Sequence, residues 1–341
     1  MILPEAIPFQ QLLDALLDID QPFPPRYLYR LSDLDPAELK QLAAIWPQLP
    51  AWRRIALMED VEQLGEKDLL LSFEALGRFA LLDSDPQVRL LAVDTLCEFE
   101  DTKLSLIFLK LMQADPDVGV RAAAAGGLGK FVYLGEVEEL PRRMLRKIED
   151  CLLGAVNGQD EAVVRRNALE ALGYSGRKEV PALIEAAYYS DDPDWTASAL
   201  FAMGHSADEQ WSPFVLAMLD SLLPKLREEA ARAAGELEIR TAVPRLLELV
   251  DDPNDDTRLT SIWSLSQLGG EGVRAALEEI AEEEDDLEEL AFIEEALDNL
   301  SFTEEAQLLP LIDIDDEENE EDEEDYLDWL EEDEDDEDNE D

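Results

Sequence analysis

Histidine occurs once in this 341-residue sequence, at His205, and cysteine twice, at Cys97 and Cys151. One imidazole cannot build the multi-histidine centres that hold zinc or paired irons, and two thiols without CxxC spacing exclude a zinc ribbon or a disulfide framework. Each cysteine lies in an apolar helical pattern and reads as a small core residue in a reducing compartment. No apolar run approaches the ~18 residues that a membrane-spanning helix needs. The first residues, Met1-Ile2-Leu3-Pro4-Glu5, lack the basic start of a secretory signal. A cytoplasmic chain with no membrane contact, no metal and no cofactor is the expectation.

Positive charge is equally scarce. Lys and Arg number 27 against 83 Asp and Glu, a formal net charge of −56, and none falls between Ala275 and Asp341. Of the 29 residues from Asp313 onward 22 are acidic, which leaves 61 acids against the 27 bases in residues 1–312. A surface of that sign repels phosphates, because nucleic acids and anionic membranes are bound by clustered Lys and Arg. No direct nucleic-acid binding is expected. Nucleophile motifs are missing as well. There is no GxSxG elbow, and Gly126-Gly127-Leu128-Gly129, which superficially suggests a phosphate loop, has no strand before it and reads as close helix packing. Nothing indicates an enzyme. Apolar residues nonetheless make up 46% of the chain, enough for a core.

What is present is repetition. Asp85-Pro86-Gln87-Val88-Arg89 with Ala92, Asp115-Pro116-Asp117-Val118 with Arg121 and Ala124, and Glu161-Ala162-Val163-Val164-Arg165 with Ala168, Ala171, Leu172 and Gly173 state one pattern three times. Leu226-Arg227 and Thr257-Arg258 continue it, and Thr196, after Asp192-Pro193-Asp194-Trp195, stands where another Arg would fall. From Arg165 the slot recurs every 31 residues, at 196, 227, 258 and 289, whereas the earlier gaps of 32 and 44 leave about 13 extra residues within 131–151. A fixed period of this size means stacked supersecondary units. Each unit reads helix, turn, helix: Pro181 suits a first helical turn, Asp191-Asp192-Pro193 stops that helix and caps the next, and Gly204 ends it. The expected organisation is an extended N-terminal arm over 1–34, a divergent capping helix pair over 35–67, about seven units over 68–301 and an acidic tail over 302–341. From Asp313 that tail has too few apolar residues to offset backbone ordering, about 1–2 kcal/mol per residue, and reads as disordered.

The iterated P-x-L…D-x-x-V-R-x-x-A-x-x-A-L-G pattern resembles HEAT repeats of the short bacterial kind also found in phycobilin lyases, over roughly residues 35–300. The resemblance implies an all-α HEAT/armadillo-like α-solenoid, a superhelix whose second helices line a concave face. It implies no single activity. In HEAT proteins, Asp and Arg at such positions form a hydrogen-bonded ladder between units, so Arg89, Arg121, Arg165, Arg227 and Arg258 read as structural. A deoxyhypusine hydroxylase, also built of HEAT repeats, would need paired His–Glu sites that one histidine cannot supply.

Comparison between repeats locates a candidate binding face. Five residues after the Arg slot stand Asp94, Gly126, Glu170, Phe201, Arg232, Trp263 and Glu294, with no common chemistry. One residue earlier stand Val93, Ala125, Leu169, Leu200, Ala231, Ile262 and Ile293, apolar throughout. A helix has one buried and one variable stripe. The apolar column therefore packs the stack, and the variable one faces outward with Asn167, Ser198, Glu229 and Thr260 one turn before it and Tyr174 and His205 beyond it. By the HEAT resemblance, outward there means the concave groove. Phe201 and Trp263 are expected as exposed anchors.

Two further features stand apart. Arg142, Arg143, Arg146 and Lys147 form the densest basic cluster, read as solvated charge or as a docking patch for an acidic partner. Within the tail, Tyr326, Leu327, Trp329 and Leu330 set apolar side chains among carboxylates, a pattern suited to a short recognition motif. The function expected is a protein-interaction scaffold or adaptor binding a protein partner, a basic one among the options. The alternative is an acidic chaperone or nucleic-acid mimic that sequesters basic proteins, and a phycobilin-lyase-like activity comes third.

Overall fold

Helices interrupted this often by Pro, Asp and Gly cannot bury an apolar face alone, so they must stack. The computed structural model describes residues 7–308, and all regular structure among the described residues is helical. The chain divides into two compact units at Gly270. The first holds α1 (Phe9–Leu17), α2 (Pro36–Ile45), α3 (Ala51–Lys67), α4 (Glu74–Ala80), α5 (Pro86–Cys97), α6 (Lys103–Ala114), α7 (Val118–Glu136), α8 (Arg142–Val156), α9 (Ala162–Ala171), α10 (Val180–Tyr188), α11 (Pro193–Gly204), α12 (Ser212–Met218), α13 (Pro224–Glu236), α14 (Val243–Leu249) and α15 (Asp255–Leu268). From α3 to α15 each odd-numbered helix packs on the next odd one, forming a continuous layer. The even helices α4 to α14 form a second layer, each laid against the odd helix that follows it. This is an all-α solenoid of the HEAT/armadillo type. The second unit holds α16 (Val273–Glu283) and α17 (Leu287–Leu308), which pack on one another through Val273, Leu277, Ile293, Ala296 and Leu300.

Local chemistry sets the helix starts. Asp85, Asp117 and Asp192 accept from the backbone N–H groups of Gln87, Val120 and Asp194, and Asn254 from that of Thr257. Each such cap contributes about 1 kcal/mol. The apolar column is core: Val93, Ala125, Leu169, Leu200 and Ala231 are fully buried, with Ile262 and Ile293 nearly so.

Between units the recurring arginine acts as a clamp. Arg89 grips Asp115 through Nε and Nη2 at 2.9 and 2.8 Å, Arg121 grips Asp160 at 2.9 and 2.7 Å, and Arg227 grips Asp252 at 2.7 Å twice. Nη1 of each donates to a carbonyl of its own turn, that of Asp83, Asp115 or Ser221. Arg54 extends the ladder upstream, pairing with the buried Asp83 at 2.9 Å.

The odd helices approach closely because small residues meet there. A Cβ on Gly173 would lie 2.8 Å from both the Cα and the carbonyl oxygen of Ala202. Backbone cannot yield as a flexible side chain can. Gly173→Ala is therefore expected to cost about 1–3 kcal/mol by prising α9 from α11. Gly154→Ala, on α8 with nothing within 4 Å of the added methyl, should be neutral or stabilising by up to ~1 kcal/mol. Urea unfolding of the two variants checks the contrast, and equal effects would contradict it.

Two expectations change, and the place of the additional residues becomes clear. The segment before Pro36 is no extended arm: Leu12, Leu16 and Leu31 are fully buried, and Arg53 donates to the carbonyls of Asp18 and Gln21 at 2.7 and 2.6 Å. The additional residues near 131–151, whose form the sequence leaves open, lengthen helices. Helix α7 has 19 residues and α8 has 15, against 12 in α11 and 9 in α10. The α7–α8 turn is tight, with Glu138 at a φ of 67° and the N–H groups of Glu139 and Leu140 both donating to the Leu134 carbonyl. Last, residues 302–308, assigned to the tail, continue α17, where Arg274 binds Glu304 at 2.7 Å and Ser301 at 3.1 Å. The motif Tyr326, Leu327, Trp329 and Leu330 lies outside the described residues.

Candidate interaction face

Across α7, α9, α11 and α13 the ends of the odd helices bring aromatic and acidic side chains into one strip. Tyr133 meets Tyr174 edge to face at 5.8 Å, Tyr174 stacks on His205 at 4.4 Å and 16°, and Phe201 presents its edge to the same imidazole at 4.4 Å. His205 Nδ1 lies 3.3 Å from Glu236 Oε2. Burial, with the Arg232 charge beside it, pushes His205 down to about 4, so the imidazole is neutral near pH 7. Burial pushes Glu229 and Glu236 up to about 7, against the pull of Arg232. Oε2 of each is buried without a hydrogen bond, and that of Glu229 is 3.8 Å from Arg232 Nε. Arg232 itself is bonded to Glu228 at 2.9 Å. Burial outweighs the one guanidinium beside them, which is why both are hard to ionise.

The candidate residues fall on both sides of the expected face. Glu170 and Ser198 are joined, the hydroxyl donating to Oε1 at 2.5 Å, but Ser198 is buried and does not face outward. It lies at the seam with α9, where outward from one helix means against its neighbour. Phe201 and Trp263 are half-buried and not the exposed anchors expected. Asn167 is half-buried on α9 and approaches Gly126 of α7, where a Cβ would lie 3.4 Å from its Nδ2. Tyr174, His205, Glu229 and Arg232 come together in the strip, while Thr260, half-buried, sits with Trp263 on α15. Sequence reasoning missed Tyr133 and Glu236. Glu236 follows Glu229 by seven residues, two helical turns, and so shares its face. Tyr133 lies in the part of α7 that exceeds the repeat.

Arg142, Arg143, Arg146 and Lys147 are exposed on α8, in the even layer. Arg142 is paired with Glu138 at 2.8 Å, and the nearby Arg177 reaches Glu149, Asp150 and Glu179. At the other end of the odd layer, Asp94 borders a 570 Å³ cavity with Glu62, Glu66 and Cys97. Burial raises Asp94 to about 6, and burial together with Asp94 raises the Cys97 thiol to about 12, leaving it unreactive. Among the described residues no group of His, Cys, Asp and Glu is placed to hold a metal ion, and no helix is long and apolar enough to cross a membrane.

Residues 212–298 match the family model for HEAT repeats. No curated protein matches the chain. Among solved structures, the complex of CpcE and CpcF of phycocyanin lyase from Nostoc sp. is similar at 19% identity over 58% of this chain and 76% of that one, with a TM-score of 0.41. Human deoxyhypusine hydroxylase is similar at 20% identity over 86% and 96%, with a TM-score of 0.36. Kap95p, bound to RanGDP, is similar at 14% identity over 88% and 47%, with a TM-score of 0.40. At such identities the likeness is one of fold, and the phycobilin-lyase type is not singled out from the other HEAT-repeat proteins.

Proposed function

We propose that this chain is a non-enzymatic scaffold that binds a protein partner along the odd-helix layer from α7 to α13, the face that the HEAT resemblance assigns to the groove. A partner Lys or Arg would be received between Glu229 and Glu236. The observation that carries this is the pair of buried carboxylate oxygens without hydrogen bonds, set beside an aromatic run. A second cation there would supply the charge that Arg232 cannot give to both, while Tyr174, Phe201 and His205 offer rings against which its aliphatic stem packs. A cytoplasmic location belongs to the same proposal, as does a long-range contribution of the acidic residues beyond Asp313 to the encounter rate with basic partners.

Calorimetric titration with lysine-rich and glutamate-rich peptides of equal length tests it. The lysine peptide is expected to bind, and Glu229→Gln with Glu236→Gln to weaken it by about tenfold or more, the loss of one charge-assisted contact of about 1.5–3 kcal/mol. Unchanged binding by the double variant would assign the affinity to bulk charge. That outcome favours the second reading, a sequestering acidic surface, for which the net charge of −56 speaks. A phycobilin-lyase-like activity would require the groove to hold a tetrapyrrole, and absence of bilin absorbance after co-expression would dispose of it.

A further inference from the structure

At Arg165 the ladder keeps its arginine and lacks the acid that should meet it. In most intact rungs the acid also closes its own turn: Asp83, Asp115 and Asp252 accept from the N–H two residues on, at 2.7, 2.9 and 2.9 Å, while Asp160 accepts from the next residue's N–H at 2.7 Å. Ser190 makes the same contact with the Asp192 N–H at 3.2 Å, and Ser221 with that of Leu223 at 3.3 Å. Both serines therefore occupy the aspartate place with a side chain too short to reach the preceding unit. Opposite Ser221 the arginine is lost too, replaced by Thr196. Opposite Ser190 it remains, as Arg165.

Arg165 is anchored but not neutralised. Its Nε donates to the Val156 carbonyl at 3.0 Å, and its guanidinium carbon lies 5.3 Å from the centre of the Trp195 ring. No carboxylate of the described residues meets its two terminal nitrogens, whereas Arg89, Arg121 and Arg227 each hold one in a two-point grip. Arg165 also lines a 240 Å³ cavity, together with the apolar Val156, Leu183 and Ala187 and with Ser190 and Trp195. A guanidinium oriented by a carbonyl on one nitrogen and by an indole face presents the remaining fork in a fixed direction, the geometry that takes a carboxylate in two parallel bonds.

We infer that Arg165, Trp195 and the empty aspartate place form a binding site for a carboxylate carried next to an aliphatic group on a partner polypeptide. The site differs from the acidic strip in place and in sign of charge, and it does not rest on that reading. The surrounding acids, Asp160, Glu161, Asp191 and Asp192, repel an anionic ligand at long range. Screening by salt reduces that repulsion more than it weakens the close contact. Binding at this site is thus expected to hold or strengthen as salt rises from low to physiological, the reverse of a basic peptide on the strip.

The test uses the full chain and the peptide acetyl-Leu-Asp-Leu-amide, with its Asn counterpart as control and acetyl-Leu-Leu with a free carboxylate as a second source of the same chemistry. Titration is followed by NMR on the Trp195 indole N–H, assigned through Trp195→Phe. The Asp peptide or the free carboxylate is expected to shift that signal at least tenfold more tightly than the Asn peptide, and the better of the two identifies the source. Ser190→Asp should restore the rung, raise the melting temperature and abolish binding by occupying Arg165 from within. Arg165→Gln should also abolish it. Equal binding of the Asp and Asn peptides, no binding by either carboxylate, or retained binding in a folded Ser190→Asp protein would overturn the proposal.

Discussion

Arg227→Ala is expected to destabilise the chain by about 3–5 kcal/mol, the range for removing one member of a buried ion pair. The guanidinium bridges two units with both bonds to Asp252 at 2.7 Å, and the two side chains are only 11% and 5% exposed. Without it the Asp252 carboxylate stays where water barely reaches, keeping only the Asn254 N–H. The cost is that of a desolvated charge, so it is not the energy of the intact pair. Arg227→Met combined with Asp252→Leu should lose far less, because both charges go together. Arg165→Ala, which strands no carboxylate, should cost about 1 kcal/mol. Stability in a stacked array is mainly a sum of nearest-neighbour terms. Amide exchange should therefore accelerate in α13 and α15 while α3 and α5 are unchanged. The hydrogen bond from Arg227, followed by that from the Asn254 N–H, holds Asp252 below its ordinary 3.8. The pair's contribution is accordingly full above about pH 4 and fades as pH falls through the depressed value. A loss under 1 kcal/mol at pH 7, or exchange that speeds evenly along the chain, would contradict this account.

The solenoid was legible because each unit solves the same problem with the same residues. The apolar column could be read by laying repeats side by side and is buried as that comparison put it, while the ladder implied by the HEAT resemblance holds at Arg89, Arg121 and Arg227 and fails at Arg165. What lay outside the period was read less well. Pro22, Pro24 and Pro25 suit an extended segment, but Leu12, Leu13 and Leu16 have helical spacing and their burial decides the matter in favour of α1. The direction of the variable stripe was misjudged at Ser198 for a different reason. A stripe exposed on an isolated helix is partly covered when the next parallel helix sits close enough for Gly173 to touch Ala202 backbone. Tyr133 could not be aligned at all, since the lengthened α7 has no counterpart in the other units.

Raising the pH from 5 to 8 is expected to weaken the α11–α13 region by several kcal/mol, and Glu229→Gln with Glu236→Gln to abolish most of that slope. Folding holds both carboxyls near 7, against 4.5 for the unconstrained side chain, and Asp94 near 6 against 3.8. Between those values the folded chain binds more protons than the unfolded one, so stability falls as pH rises and reaches its lower plateau above about 7. His205 acts in the opposite sense. Held near 4 against 6.5, it leaves the unfolded chain with more protons between those values and adds stability as pH rises. From 4.5 to 6.5 the imidazole therefore offsets one glutamate, and above 6.5 the glutamates act alone. Each contributes about 3 kcal/mol at most, reduced by the 16% and 23% of side-chain surface that still meets water. The local contact follows the same proton: a protonated Glu236 can donate to His205 Nδ1, whereas an ionised one leaves two acceptors facing across 3.3 Å unless the imidazole proton moves to Nδ1. Glutamine is neutral at every pH, so the double variant should match wild type near pH 5 and exceed it by about 2–4 kcal/mol at pH 8 in urea unfolding. A basic peptide seated on the strip should act as the mutation does, drawing both carboxyls down and releasing protons when it binds near pH 6. Calorimetry in two buffers of different ionisation enthalpy reads that release. A gap between wild type and variant that is the same at pH 5 and pH 8 would show that neither carboxyl titrates in this window.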